Sequence, residues 1–133
     1  MIIMEQIDLL TVFVAALVAM ILSSLWYSQY AFGLVWRRIT GLDKKTIKQH
    51  MKTMPLFFLL LVIISYFLSL IEIYLGVTSF WDGIIAGVVV WFGFVFTTGF
   101  STVLWGRKNL HLFMIDSGSW CLVFMAMGGI LAG

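Results

Sequence analysis

"PLFFLLLVIISYFLSLIEIYLG", residues 55–76, carries one charged side chain, Glu72, in 22 positions. A helix needs about 20 predominantly apolar residues to cross the hydrocarbon layer of a bilayer, and this stretch supplies them. Pro55 suits the first turn of a helix, where its missing N–H leaves no bond unmade, and Gly76 closes the run. The stretch therefore reads as a spanning helix. Working outward, similar runs lie at about 8–28, 82–105 and 110–131. Trp81-Asp82-Gly83 opens the third, and Trp105-Gly106-Arg107-Lys108-Asn109 forms a tight turn into the fourth. The expected fold is all-α: an integral membrane four-helix bundle, one transmembrane domain over residues 1–133, with a short basic interfacial helix between spans one and two.

Composition agrees. Of 133 residues, 62% are hydrophobic and 11% charged, whereas a soluble domain carries roughly 25% charged residues. Charge this sparse does not cover a water-facing surface, and no separate soluble domain fits beside four spans. Cys121 stands alone, which excludes an internal disulfide and a paired-cysteine redox or metal motif. The start, Met1 to Asp8, has no Lys or Arg ahead of the apolar run. A cleavable signal peptide would have them, so the first span is expected to stay in the mature protein.

All eight basic residues fall in two connectors. Arg37, Arg38, Lys44, Lys45, Lys48 and Lys52 lie between spans one and two, and Arg107 and Lys108 between spans three and four. Four spans bring both connectors to one side, which the positive-inside rule makes cytoplasmic. Glu5, Asp8, Glu72 and Asp82 fall to the other side with no Lys or Arg. The expected setting is a membrane crossed four times, with both connectors in the cytoplasm and both termini outside it. In the first connector, Leu42, Ile47 and Met51 recur near helical spacing among the lysines. They can lean on the membrane while the basic residues of both connectors meet lipid headgroups or an acidic partner. Trp26, Tyr27, Tyr30, Trp36 and Trp105 on this side, and Tyr74 and Trp81 on the other, read as aromatic belts.

Polar residues inside the spans are costly, so their places matter. Ser23, Ser24, Tyr27 and Ser28 end span one; Thr97, Thr98, Ser101 and Thr102 end span three; Asp116, Ser117 and Ser119 begin span four. All lie toward the cytoplasmic side. Asp116 sits about six residues into its span, about 9 Å at 1.5 Å per residue, too deep for its short side chain to reach headgroups. It is expected to face the interior, in a polar cluster of Asp116, Ser119 and Trp120 with Ser24 or Tyr27 and Thr98 or Ser101. Such a cluster reads either as hydrogen-bonded packing or as a cavity for a small solute, an ion or a proton. Gly83 and Gly87 form a G-x-x-x-G pair for close helix packing, within one bundle or between copies in a homo-oligomer.

The stretch "LWYSQYAFGLVWRRITGL" (25–42) resembles the domain of unknown function 1761 family, small four-helix bacterial membrane proteins. The resemblance rests on Trp26-Tyr27-Ser28, Phe32-Gly33 and Trp36, on Gly106-Arg107, on the segment holding Gly118, and on Met127-Gly128-Gly129. It covers nearly the whole chain and implies a four-helix membrane bundle, with no established activity attached. The family pattern usually has Pro where this chain has Gln29, often Asn where it has Asp116, and an aromatic residue and a His near Ser119 and Trp120.

Three functional readings compete. The first is a small transporter or channel, passing or binding a small solute or ion at a cytoplasm-facing polar cavity. The second is a structural or accessory protein that binds lipid or a larger complex through its basic connector. The third is an intramembrane enzyme, and the sequence offers no catalytic motif for it. His111 and Asp116 are five residues apart, a poor spacing for one helical face; His50 belongs to the connector, and Cys121 reads as a small apolar residue. No cofactor, metal or nucleic acid is expected.

The orientation has a direct check. Single cysteines at positions 5, 45 and 108, in a Cys121→Ser background, are probed on intact cells with a membrane-impermeant thiol reagent. Position 5 should label and positions 45 and 108 should be protected; the reverse pattern would overturn the assignment.

Overall fold

The computed structural model describes residues 7–27, 38, 53–106 and 109–132. They form four helices long and apolar enough to cross a membrane: α1 (Leu9–Trp26), α2 (Met54–Leu75), α3 (Phe80–Trp105) and α4 (Leu110–Ala132). Each begins and ends within about two residues of the run expected from sequence. The expected basic interfacial helix, with Arg37, Lys44, Lys45, Lys48 and Lys52, lies outside the described residues, as do Arg107 and Lys108; Arg38 is described and exposed.

Short side chains set the helix ends. Asp8 caps α1, accepting from the Leu10 amide at 3.1 Å and the Thr11 hydroxyl at 2.8 Å; the Thr11 bond leads the effects that hold its carboxyl below the usual range. Ser79 caps α3 through the Asp82 amide, and Asn109 caps α4 through the amides of His111 and Leu112. These bonds satisfy amides that a helix start leaves without partners. Gly76 ends α2 at φ 72°, a left-handed conformation open to glycine without the penalty of a Cβ.

The bundle is organised on α4. Within each helix's apolar stretch, 44% of α4 is buried against 17% of α3, so α4 is the shared inner helix. Ala15, Ala16 and Ala19 of α1, Leu61 and Leu68 of α2, and Val123, Phe124 and Met127 of α4 make the core. The Ser65 hydroxyl of α2, fully buried, donates to the Val12 carbonyl of α1 at 3.1 Å. The outward faces are apolar, with Leu10, Phe67, Val89 and Phe94 among the exposed side chains. In water such a surface would be an aggregation liability; against lipid it is the required one.

The closest crossing is between α3 and α4. A Cβ on Gly83 would overlap the Gly128 carbonyl, one on Gly128 would overlap the Gly83 carbonyl, and one on Gly87 would overlap the Phe124 carbonyl. The two backbones touch, which only glycine permits. The Gly83/Gly87 pair is thus used inside one bundle.

Midway along α3, Trp91–Phe96 widens into a π-helical turn between the α-helical segments Phe80–Val90 and Thr97–Trp105. A wide turn disturbs the regular ladder of backbone bonds, and the bilayer offers no water to make up the loss. Threonines supply acceptors' partners instead. The Thr97 hydroxyl donates to the Gly93 carbonyl at 2.8 Å. Thr98 donates to the Phe94 carbonyl and reaches that of Val95 at 3.3 Å.

Two glycines of α3 separate packing from helix propensity. Gly87→Ala should lower stability by about 1–3 kcal/mol, since an added methyl forces two backbones apart. At Gly93 an added Cβ meets nothing within 4 Å, so Gly93→Ala should leave stability unchanged or raise it by up to about 1 kcal/mol. Thermal unfolding in mild detergent reads both; equal losses would contradict the crossing.

Candidate functional site

Four of the polar residues that sequence groups at one end of three spans, Tyr27, Thr98, Asp116 and Ser117, meet around a cavity of about 380 Å³. It is lined by Tyr27 after α1, Val95, Thr98 and Gly99 of α3, and Phe113, Asp116, Ser117 and Trp120 of α4. The capped start of α4 and the π-helical turn of α3 set its two long walls. Val95 belongs to that turn, and Thr98 follows it by two residues. Gly99 leaves room for the Phe113 ring, whose Cε2 would lie 2.9 Å from a Cβ there.

Asp116 is held from across the bundle. The Tyr27 hydroxyl donates to its Oδ1 at 2.5 Å. Ser119 is buried one turn along α4 from Asp116. Trp120 adds its ring to the wall and packs edge-on against Phe57 of α2, with centroids 6.2 Å apart. Ser117 is 5% exposed, and its hydroxyl has no hydrogen-bond partner. A buried hydroxyl without a partner loses about 1–3 kcal/mol of solvation.

The named residues divide. Tyr27, Thr98, Asp116 and Trp120 share the cavity, while Ser119 is buried in α4 and does not line it. Ser24 is exposed and donates to the Met20 carbonyl at 2.9 Å. Ser101 is exposed and donates to the Thr98 carbonyl at 2.6 Å. Both hydroxyls are engaged by their own helix. Three residues that sequence reasoning left out of the cluster complete the site: Ser117, and the indoles of Trp26 and Trp91. Trp26 Nε1 donates to the Ile115 carbonyl and Trp91 Nε1 to the Ser117 carbonyl, each at 3.0 Å. They clamp the α4 backbone on either side of Asp116. Trp26, expected in an interfacial belt, packs over α4 instead, while Tyr27 takes the place offered to Ser24 or Tyr27 in the polar cluster. Gly118 makes this fit: a Cβ there would lie 2.9 Å from the Trp26 ring. The signal was the glycine beside Asp116, which a lone spacing rule does not weigh.

The match to the family model decides the relationship. It runs over residues 10–132 and carries the description "Protein of unknown function (DUF1761)". The chain belongs to this family. Neither a curated protein nor a solved structure matches it. Of the residues that carry the resemblance in sequence, Tyr27 bonds Asp116, while Trp26 packs over Gly118 and bonds the Ile115 carbonyl. Among the described residues, no group of three or more His, Cys, Asp or Glu could hold a metal ion.

Substitutions at Asp116 test how it is held. Asp116→Asn keeps an oxygen to accept from Tyr27 and should change stability by less than about 1 kcal/mol. Asp116→Leu leaves the Tyr27 hydroxyl without that acceptor and should cost about 1–3 kcal/mol. Thermal unfolding of the purified variants separates the two, and equal losses would deny the Tyr27 bond any weight.

Proposed function

We propose that the protein binds and passes a small polar solute or cation at the cavity between α1, α3 and α4. The observation that carries this reading is the pairing of Asp116 with the unbonded, buried Ser117 hydroxyl on one lining. A carboxylate within a membrane span is expensive, and such groups mark binding sites and ion paths. The carboxylate accepts hydrogen bonds and attracts positive charge, the Ser117 and Thr98 hydroxyls offer short polar contacts, and Phe113 and Trp120 provide aromatic faces. This set suits a small cation with N–H donors, such as an alkylammonium or guanidinium group.

The positive-inside rule, applied to the basic connectors in the sequence, supports a cavity on the cytoplasmic side. Their Lys and Arg residues then meet anionic headgroups. A second reading draws on those same eight residues: an accessory protein that holds lipid or a larger complex by its connectors. On this reading the cavity is packing alone. A homo-oligomer fits either reading, because a single four-helix unit offers few surfaces for a path.

Methylammonium, ethylammonium and guanidinium serve as probes. At least one should raise the midpoint of thermal unfolding in detergent, saturably, for the unmodified protein. The shift should vanish in Asp116→Asn while the variant stays folded. No saturable shift with any probe, or the same shift in Asp116→Asn, would favour the accessory reading.

A further inference from the structure

Glu72 lies at the other end of the bundle, in the last turn of α2, and is 2% exposed. Sequence assigned it, with Glu5, Asp8 and Asp82, to the non-cytoplasmic side. Neither of its carboxylate oxygens has a hydrogen-bond partner. Its Oε1 faces the α3–α4 crossing, 3.2 Å from where a Cβ on Gly128 would stand. Burial of an ionised carboxylate without partners is among the most costly states a side chain can adopt. Its position adds to the cost, since the C-terminal end of a helix carries partial negative charge. The neighbouring elements offer no relief. At this end of the bundle, α1 brings Asp8 and α3 brings Asp82, both acidic and exposed; α4 brings Gly128, Gly129 and Ala132; α2 itself brings Tyr74, exposed. Among the described residues there is no Lys, Arg or His at this end.

We propose that Glu72 is a proton-binding site, carrying its proton in the closed bundle and releasing it only when α2 parts from α4. The neutral carboxyl fits the apolar crossing; the ionised one needs water, which the Gly83–Gly128 contact shuts out. Gly128 is twelve residues from Asp116 along α4, about 18 Å at 1.5 Å per residue. Buried Val123, Phe124 and Met127 fill the interval. The site is therefore independent of the Asp116 cavity, and stands whether or not that cavity binds a solute.

The chain makes the test specific, because Glu5 and Glu72 are its two glutamates. Side-chain carboxyl ¹³C-glutamate in a Glu5→Gln background labels Glu72 alone. Isotope-edited infrared spectra of the protein in lipid at neutral pH should show the C=O stretch of a protonated carboxyl. A spectrum with carboxylate stretches alone would overturn the proposal. So would a protonated band that gives way to carboxylate when sodium replaces choline, which would make this a metal-cation site instead. Glu72→Gln supplies a second reading. The folded chain keeps a proton that the unfolded chain releases, so stability falls as pH rises. The unmodified protein should lose thermal stability with rising pH relative to Glu72→Gln, which stays as stable or gains. Parallel pH profiles for the two would count against the proposal. Should Glu72→Gln not fold, the labelled spectrum decides alone.

Discussion

Backbone contact between α3 and α4 is the constraint on which this bundle depends. In a bilayer the lipid tails are as apolar as the side chains, so helices gain little from leaving lipid. What they gain comes from dispersion and weak Cα–H···O contacts at short range. Gly83, Gly87 and Gly128 bring carbonyls and Cα atoms into that range. With α3 fixed on one side of α4, α1 and α2 fill the other, through alanines on α1 and the buried Ser65 bond to Val12. The two carboxylates inside the spans then sit at opposite ends of this arrangement, Asp116 in an open cavity and Glu72 against the tight crossing.

The cavity persists because its walls are held by backbone-directed bonds. Trp26 and Trp91 donate to α4 carbonyls near Asp116, where the alternative partners for an indole N–H would be lipid tails. Both lie in partly buried positions, where a hydrogen bond has no competition from bulk water. Stacked rings of Phe92, Phe96 and Phe100, with interplanar angles of 9° and 12°, brace the same stretch of α3. Phe96 and Phe100 lean on Phe113 in turn. Polar fixing from within and aromatic fixing along α3 leave Asp116, Ser117 and Thr98 on a preformed lining.

Much of the fold was legible because hydrophobic length is a strong signal. The run from Pro55 to Gly76 states its own ends, and Asp8, Ser79 and Asn109 are typical helix-starting residues. The depth at which Asp116, Tyr27 and Thr98 meet followed from counting residues into each span. Facing was harder to read. Ser24 and Ser101 lie at the right depth, yet a serine in a helix has its own preceding carbonyls within reach, and both took them. Spans that are apolar on every face carry little amphipathic signal, so periodicity does not say which side of α1 presents Trp26 to α4. Glu72 shows the same gap. Its place near the end of a span gave its side of the membrane but not its burial, which comes from the packing of α2 against Gly128. The π-helical turn left no plain mark beyond the threonines that follow it.

That turn gives α3 two rotational settings in principle. An α-helix advances about 100° per residue, and a π-helical turn holds one residue more than an α-helical one. The half of α3 before Trp91 is locked by glycine to α4. Were the extra residue to pass along the helix toward Trp105, the half beyond it would rotate by about that angle relative to the fixed half. Thr98 and Gly99 would leave the lining and other side chains of the same segment would take their place. The threonine hydroxyls that follow the wide turn could change carbonyls one at a time during such a shift. The helix thus contains a torsional joint between an anchored segment and one that shapes the wall beside Asp116.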